Sequence, residues 1–194
     1  MKIRLAICTL AFLLFGTGCA NLHKPAQKNQ PVAATLPVPA PKLYWDDAAA
    51  ANATGAPSIQ ISLSEQRACF YKGKTLIGVS VISSGKKGFE TPPGQYRVIQ
   101  KDLNHVSNLY GDYVDENGDI VKKNVDVTKD PQPEGTEFRG AKMSYFLRFT
   151  GGYGMHAGLL PGYRASHGCV RLPRVMAKHF YENAEFGTEV IVTD

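Results

Sequence analysis

Short runs in which apolar and polar residues alternate, each bounded by Gly or Pro, fill the sequence from Ser58 onward. In the first run, Ile59, Ile61 and Leu63 alternate with polar neighbours, a pattern that is typical of a strand with one buried face. The turn residues between the runs favour connections from strand to strand. Further runs of this kind cover residues 67–71, 75–82, 95–100, 142–150 and 189–193. The sequence therefore predicts a mostly β domain.

One helix is predicted, from about Pro173 to Ala184. Proline suits the first turn of a helix, and Gly187 follows the segment as a terminator. The residues expected to form one face of this helix are Val175, Met176, His179, Phe180 and Ala184. The predicted fold class is accordingly β-rich α+β, with one main helix near the C terminus.

The first residues have the features of an export signal. Lys2 and Arg4 precede an apolar run that is too short to span a bilayer, and small residues follow that run. Because the small residues lead directly to Cys19, residues 1–18 resemble a bacterial lipoprotein signal peptide. This resemblance implies that Cys19 is lipidated. The chain would then be exported to the cell envelope or periplasm and anchored to a membrane that faces the wall.

The composition separates a linker from a domain. Residues 19–57 carry six of the twelve prolines and show no apolar periodicity, so a disordered Ala/Pro-rich tether is expected there. Residues 58–194 are long enough for one domain with its own core. Removing the signal takes away two positive charges and lowers the net charge from +5 to +3. Such a weak and unclustered positive charge does not indicate nucleic-acid binding.

A long polar stretch, 101–140, interrupts the strand-like pattern. It is rich in Asp, Asn and Gly, and Glu116 to Asp119 has the composition of a tight turn. Those residues look like part of a calcium loop, but the flanking ligand spacing is missing, which favours a hairpin turn. Because a loop of this length in a compact domain often carries function, we expect the stretch to act as a lid.

The segment "GMHAGLLPGYRASHGCVRL" places Cys169 close to two histidines. A thiol attacks as a thiolate, and a nearby imidazole can supply the base that forms it. Two alternatives remain open: a disulfide between Cys169 and Cys69, and a metal site that includes His156 and His167. Cys69 lies in a predicted strand, where a small buried thiol is common, and a fourth metal ligand at short spacing is missing. Nucleophilic catalysis is favoured.

At these residues the sequence is similar to the signature of the YkuD-type L,D-transpeptidases. The family's Gly-x-His element matches residues 154–156, and its Ser-His-Gly-Cys element, followed by an apolar residue and Arg, matches residues 166–171. Two further segments, "ISLSEQRACFYKGK" and "SSGKKGFETPPGQYRV", resemble the family's opening hairpin and its Thr-Pro-x-Gly region. The resemblance covers roughly residues 58–194 and implies a twisted β-sandwich or barrel with its main helix after the cysteine.

The resemblance implies the central catalytic roles. Cys169 would be the nucleophile and His156 the general base that activates it. His167 and Gly168, with the backbone of Cys169, would shape the oxyanion pocket, and Ser166 would support that loop. No cofactor or metal would be required.

Three more residues complete the implied site. The backbone carbonyl of Ala157 would orient the catalytic histidine, and Arg171 would support the loop or bind a substrate carboxylate. Tyr153 is a candidate for substrate binding, although packing is the more common role of such a tyrosine. Outside the site, we expect residues 91–94 to form a turn, His179 to be structural and His105 to be solvated.

The implied reaction is acyl transfer on the stem tetrapeptides of peptidoglycan. A thioester would form on the cysteine and would pass to an amine of another stem, giving a 3→3 cross-link, or to a protein lysine or a D-amino acid. A hydrolase on the same scaffold, an L,D-carboxypeptidase or an amidase that releases wall-linked proteins, is the first alternative. A wall-binding lipoprotein without catalytic activity is the second, and the complete motif disfavours it.

Overall fold

A computed structural model of the protein describes residues 43–194. The predicted signal peptide, Cys19 and the first part of the predicted tether lie outside the described residues. The strands and helices are, in chain order, β1 Leu43–Trp45, α1 Asp47–Asn52, β2 Pro57–Ser62, β3 Arg67–Lys72, β4 Thr75–Val81, β5 Gly94–Arg97, β6 Gln100–Val114, β7 Ile120–Asp126, β8 Glu137–Thr150, β9 Tyr153–Ala157, β10 Val170–Leu172, α2 Arg174–Asn183 and β11 Glu189–Thr193.

The strands form two sheets. One has six strands in the order β1-β4-β3-β2-β11-β5, and the other has five in the order β10-β9-β8-β6-β7. Most neighbours are antiparallel, but β11 runs parallel to β2, and β10 runs parallel to β9. The prediction of a mostly β domain with its main helix after the cysteine is confirmed. In residues 43–194, no helix has the length and apolar character needed to cross a membrane.

The core lies between the first sheet, helix α2 and the inner strands of the second sheet. Ile59, Ile61 and Leu63 are all buried, as their alternation predicts. Phe180 of α2 packs edge-on against Phe70 of β3, with ring centroids 5.2 Å apart. Burial of such large side chains is the main contribution to stability in a domain of this size.

Helix α2 follows its predicted bounds closely, with Pro173 as its N-cap and Ala184 as its C-cap. The prediction that Val175 lies on the buried face is wrong, because this residue is exposed. The buried face is formed instead by Met176, Ala177 and Phe180. The apolar stripe is therefore rotated slightly from the predicted one and excludes the residue in the first turn.

The predicted tether is wrong in its last part, because residues 43–57 are ordered within the domain. Strand β1 pairs with β4, and the side chain of Asp46 caps α1 by accepting the amide N–H of Ala49 at 2.8 Å. The indole of Trp45 stacks on the ring of His179 at 4.6 Å, as the structural role predicted for that histidine requires. A single aromatic anchor has no periodicity, so the composition of the segment did not reveal it.

We predict that Trp45→Ala destabilises the whole domain. Trp45 also packs edge-on against Phe70 in the core, so its removal leaves a cavity there. The free energy of unfolding should fall by about 3 kcal/mol, measured by urea denaturation. The neighbouring exposed residue gives a matched control, because Tyr44→Ala should cost less than about 1 kcal/mol. Equal, small losses for both variants would show that β1 is not part of the folding unit.

The stretch 101–140 is not the loop that the sequence predicted. Strand β6 occupies its first part and pairs with both β8 and β7, so most of the stretch is regular sheet. The predicted turn at residues 116–119 is present between β6 and β7, where Asp115 Oδ1 accepts the amides of Asn117 and Asp119. The extension formed by β6, β7 and the first half of β8 carries polar residues on both faces. Its sequence therefore lacks the alternation on which strand prediction depends.

Candidate active site

A cavity of about 420 Å³ opens between β6, β8, β9 and the loop that precedes β10. Five of the sequence-predicted site residues line it along with Cys169: His156, Ala157, Ser166, His167 and Arg171. Tyr153 is not among its lining residues. Its ring lies against Gly168, where an added Cβ would come within 2.7 Å of the tyrosine Cε1, so Tyr153 packs under the loop.

The parallel pairing of β9 and β10 brings the two motif segments together. Arg171 lies opposite His156, and Val170 lies opposite Met155. Cys169 directly precedes Val170, and Gly154 directly precedes Met155. The backbone of Cys169 therefore lies near Gly154, where the pairing of β9 and β10 begins. Two segments that are separated along the chain thus place a thiol and an imidazole on the same cavity wall.

His156 is held as a neutral imidazole with one free nitrogen. Its ring is buried, and Nδ1 lies 2.9 Å from the carbonyl oxygen of Ala157. Because a carbonyl can only accept a hydrogen bond, Nδ1 carries the proton and Nε2 holds a lone pair. Burial, reinforced by the charge of Arg171, lowers the pKa of His156 to about 4. The ring is therefore uncharged at neutral pH.

The thiol of Cys169 is protonated and partly buried. Burial raises its pKa, and the amide of Gly154 and the charges of Arg148 and Arg171 oppose that rise. Sγ donates a hydrogen bond to the carbonyl of Gly152 at 3.6 Å, and no hydrogen bond to the His156 ring occurs in the described chain. A rotation of the thiol is required before the imidazole can take its proton.

Cys69 takes no part in this site. It lies buried in β3, and neither its thiol nor that of Cys169 is in a disulfide. Burial also raises the pKa of the Cys69 thiol. The described residues contain no group of three or more His, Cys, Asp or Glu side chains that could hold a metal ion.

The loop that carries Cys169 is shaped by its own hydrogen bonds. The hydroxyl of Ser166 donates to the carbonyl of Cys169 and accepts the amide N–H of Gly168 at 3.0 Å. Gly168 has a φ of +115°, which favours glycine. Ser166 thus links two parts of the loop through its hydroxyl. Because the amide of Gly168 is occupied by this bond, the neighbouring amides of His167 and Cys169 are the ones in residues 167–169 that make no hydrogen bond within the described chain.

Thr91 is a site residue that the sequence reasoning missed. Its hydroxyl donates to the carbonyl of Gly168 at 2.6 Å and accepts the amide N–H of Gly85 at 3.0 Å. The residue is buried, so these two bonds tie the cysteine loop to the segment that follows β4. The sequence indicated only a turn here, because a threonine beside two prolines carries no signal of a contact 77 residues away.

We predict that Thr91→Val loosens the cysteine loop. Valine keeps the shape but leaves the carbonyl of Gly168 and the amide of Gly85 unpaired, which should cost about 3 kcal/mol of unfolding free energy. Displacement of the nucleophile should lower turnover roughly tenfold or more. Thr91→Ser retains the hydroxyl and is the control. Equal behaviour of the two variants in thermal unfolding and turnover would contradict this role.

The ring of His167 is fixed by residues from two distant segments. It stacks on Tyr110 at 4.5 Å and meets Phe89 edge-on at 4.7 Å. Its Nε2 lies 3.1 Å from the ammonium of Lys86, which donates to it. Burial, together with that ammonium, lowers the pKa of His167. The contacts of Lys86, Phe89 and Tyr110 with this ring were not predicted. Lys86 and Phe89 lie in the quoted segment that resembles the family, but the resemblance gave them no role at His167.

The charged side chains that line the cavity are all basic. Lys142, Arg148 and Arg171 are among the lining residues, and no carboxylate from residues 43–194 is. Arg148 is held by Gln100, whose Oε1 accepts from Nε at 2.6 Å. The guanidinium of Arg171 makes no side-chain hydrogen bond or ion pair with any described residue, although it is partly buried. The cavity thus has a free guanidinium and suits an anionic ligand.

His105 is not solvated as the sequence suggested. Its ring stacks on Phe146 at 4.2 Å, and Nδ1 lies 3.0 Å from Asp102 Oδ2. The ring lines the cavity that also contains Cys169 and His156. The polar sequence around His105 hid this placement, because the strand-like character of β6 was not recognised.

Comparisons with known proteins agree with this architecture. Solved structures of similar fold include L,D-transpeptidases from Stackebrandtia nassauensis (20% identity, TM-score 0.53, covering 79% of this chain and 59% of that one) and Mycobacterium smegmatis (20%, 0.55, 72% and 59%). A cysteine-to-serine variant of the Enterococcus faecium L,D-transpeptidase is also similar (23%, 0.53, 72% and 50%). This chain therefore matches only half to three fifths of the length of those proteins.

No curated protein sequence matches the chain. The family described as YkuD, L,D-transpeptidase catalytic domain, matches residues 56–192, which is most of the sequence and nearly all of the described fold. The chain belongs to the L,D-transpeptidase catalytic domain family.

Proposed function

We propose that this domain transfers acyl groups of peptidoglycan stem peptides through a thioester on Cys169. The observation that carries the proposal is the shared cavity, which is lined both by the thiol of Cys169 and by a buried histidine whose Nε2 has a free lone pair. A neutral imidazole next to a neutral thiol is a nucleophile–base pair that acts when substrate arrives.

In the first half-reaction the thiol of Cys169 attacks the carbonyl that joins the third residue of the stem to the terminal D-alanine. His156 Nε2 takes the thiol proton as the C–S bond forms. The same proton then passes to the nitrogen of D-alanine as the C–N bond breaks, so D-alanine leaves as an amine. The enzyme retains the stem as a thioester, and His156 is neutral again.

In the second half-reaction an amine of another stem, of a protein lysine or of a D-amino acid attacks the thioester. The C–N bond forms, the C–S bond breaks, and the sulfur recovers a proton through His156. The amides of His167 and Cys169 are the donors available to the oxyanion in both halves, because Ser166 occupies the amide of Gly168.

Arg171 is proposed to bind a carboxylate of the donor stem. Its guanidinium is partly buried on the cavity wall and has no partner in the described part of the chain. A guanidinium in this setting gains a bidentate hydrogen bond from a carboxylate at little cost, since its hydration is already reduced. The basic lining as a whole favours an anionic donor.

A hydrolase is the second candidate, and the charge of the cavity favours it. An amine acceptor enters as an ammonium ion, yet none of the described carboxylates lines the cavity to balance that charge. Water is neutral and meets no such repulsion. The product would then be a trimmed stem, or a protein released from the wall.

The products of the purified protein incubated with tetrapeptide muropeptides separate these functions. Cross-linked dimers with release of D-alanine, identified by mass spectrometry, are the expected result. Tripeptide monomers alone would establish the hydrolase. Unchanged tetrapeptide, with binding retained, would overturn both and identify a binding module.

The acid limit of acylation should lie unusually low. The base must be neutral to act, and the lowered pKa of His156 keeps it neutral in mildly acidic solution. Measured as kcat/KM for release of D-alanine, acylation should lose half its rate near pH 4, whereas an ordinary histidine would impose that loss near pH 6.5. A midpoint near pH 6.5 would contradict the buried, uncharged state of this ring.

Export and anchoring are also proposed. Residues 1–18 would be removed and Cys19 would carry the lipid, which places the domain in the periplasm or on a membrane that faces the wall. Labelling of cells with a fatty-acid analogue should mark the protein, and Cys19→Ala should abolish the label. Persistent labelling of that variant would refute anchoring at this residue.

A further inference from the structure

His105 is built into the cavity as an acid–base pair with Asp102. The carboxylate oxygen Oδ2 of Asp102 lies 3.0 Å from Nδ1 of the ring. Stacking on Phe146, at 4.2 Å and an interplanar angle of 14°, fixes the plane of the imidazole. A neutral ring that donates from Nδ1 to a carboxylate leaves Nε2 with its lone pair as a proton acceptor.

Nothing in the described chain uses the second nitrogen of this ring. Nε2 of His105 makes no hydrogen bond there, and the side chain is 21% exposed. The ring lines the same cavity as Cys169 and stacks on Phe146, whose ring centroid lies 6.3 Å from that of His156. Three histidines therefore line one cavity, and His167 already uses its Nε2 to accept from Lys86.

His156 and His105 differ in the group that accepts the hydrogen bond from Nδ1. His156 donates to a carbonyl and is buried, so its charged form is disfavoured. His105 donates to a carboxylate and is partly exposed, so a proton taken at Nε2 has a carboxylate beside the ring and a route to solvent. The surroundings of His156 suit a base that takes a proton and returns it within one half-reaction. The surroundings of His105 suit a base that passes its proton to solvent.

An amine acceptor must lose two protons before it becomes an amide. It arrives as an ammonium ion, because a lysine-type amine has a pKa of about 10.4. One proton must leave before the nitrogen can attack, and the other must leave when the C–N bond forms. His156 has one free nitrogen, which accounts for one of the two.

We propose that His105, positioned by Asp102, is the residue that deprotonates the ammonium acceptor; this inference rests on the acyl transfer proposed above. His105 Nε2 takes the first proton and releases it to solvent. The neutral amine then attacks the thioester, the C–N bond forms and the C–S bond breaks. The second proton passes through His156 to the sulfur and restores the thiol. The net products are the amide, the free thiol and one proton in solution.

The test compares acceptors of different basicity on the wild-type protein and on His105→Gln. With a lysine-type amine at pH 7, the variant should transfer the acyl group about 100-fold more slowly. With an amine whose pKa lies below the assay pH, which arrives uncharged, both proteins should react at similar rates. Asp102→Asn should show the same selectivity with a smaller loss. His179→Gln, which changes a histidine outside the site, is the matched control and should resemble the wild type.

The outcomes distinguish this inference from the function on which it rests. Formation of the acyl-enzyme, followed by intact-protein mass spectrometry, reports the first half-reaction independently of the acceptor. If the wild type forms no acyl-enzyme, the proposed function fails together with this inference. If the acyl-enzyme forms, and His105→Gln lowers the rates of acyl transfer to both amines equally or changes neither rate, only the role of His105 is overturned. A wild-type acyl-enzyme that water alone resolves would also overturn that role.

Discussion

Replacing Cys169 with alanine is expected to lower turnover of tetrapeptide substrates by roughly 10⁵-fold or more, because no other thiol of the described residues lines the cavity to form the thioester. Cys169→Ser should be almost as inactive, since its hydroxyl is far harder to deprotonate by an imidazole whose pKa is about 4. The measurement is the rate of D-alanine release, followed with enough enzyme to detect the residual rate.

Cys69→Ala provides the matched control for the loss of a thiol. Cys69 lies buried in β3, away from the cavity lining, so this variant should keep its activity and lose only a little stability. If Cys69→Ala were as inactive as Cys169→Ala, or if Cys169→Ala retained activity, the assignment of the nucleophile would be wrong.

Replacing His156 with glutamine should lower the rate of acylation by roughly 10³-fold with little change in substrate binding. Glutamine cannot take the thiol proton, so the reaction would depend on the small fraction of Cys169 that ionises unaided. Because burial raises the pKa of that thiol, the residual rate should increase about tenfold per pH unit up to at least pH 9.

The pH dependence separates this role from a structural one. In the wild type, the same rate should be nearly flat between about pH 5 and pH 9, because the base is already neutral over that range. A glutamine variant that is uniformly slow at every pH would indicate a distorted site, and it would remove His156 from the role of base.

The local pattern was sufficient to predict the fold wherever one face of a strand is buried. Ile59, Ile61 and Leu63 alternate because the first sheet covers the core on one side only, and helix α2 could be read from its apolar stripe. The extension formed by β6, β7 and the first half of β8 has no comparable buried face. Its strands are held mainly by pairing with one another, and pairing between distant segments leaves no period in the sequence.

The site was predictable to the extent that its residues lie in one motif. The segment around Cys169 and His156 carries its own chemistry, whereas the parallel pairing of β9 with β10 was not predicted and was found only in the structure. Thr91, Lys86 and Tyr110 reach the same place from distant parts of the chain. Lys86 and Thr91 lie in a segment that resembles the family, but that resemblance did not assign their contacts with His167 and Gly168. Those contacts exist only after the chain has folded, so the local sequence did not indicate them.

The N-terminal boundary of the domain illustrates a different limit. Residues 43–57 are rich in alanine, and their order rests on the pairing of β1 with β4, on the Asp46 cap of α1 and on the indole of Trp45, which packs against Phe70. A composition average over such a segment is dominated by residues that do not determine its structure. Pairing with a distant strand and one buried aromatic ring leave no periodic signal in so short a segment.

The most direct measurement is the location of the covalent intermediate. The protein, mixed with tetrapeptide muropeptide and quenched in acid, should gain the mass of the stem without its terminal D-alanine. Proteolysis should then place that mass on the peptide that contains Cys169, and hydroxylamine should remove it as it removes a thioester. Consumption of the substrate with no adduct on this peptide, or with the adduct on another residue, would contradict the account.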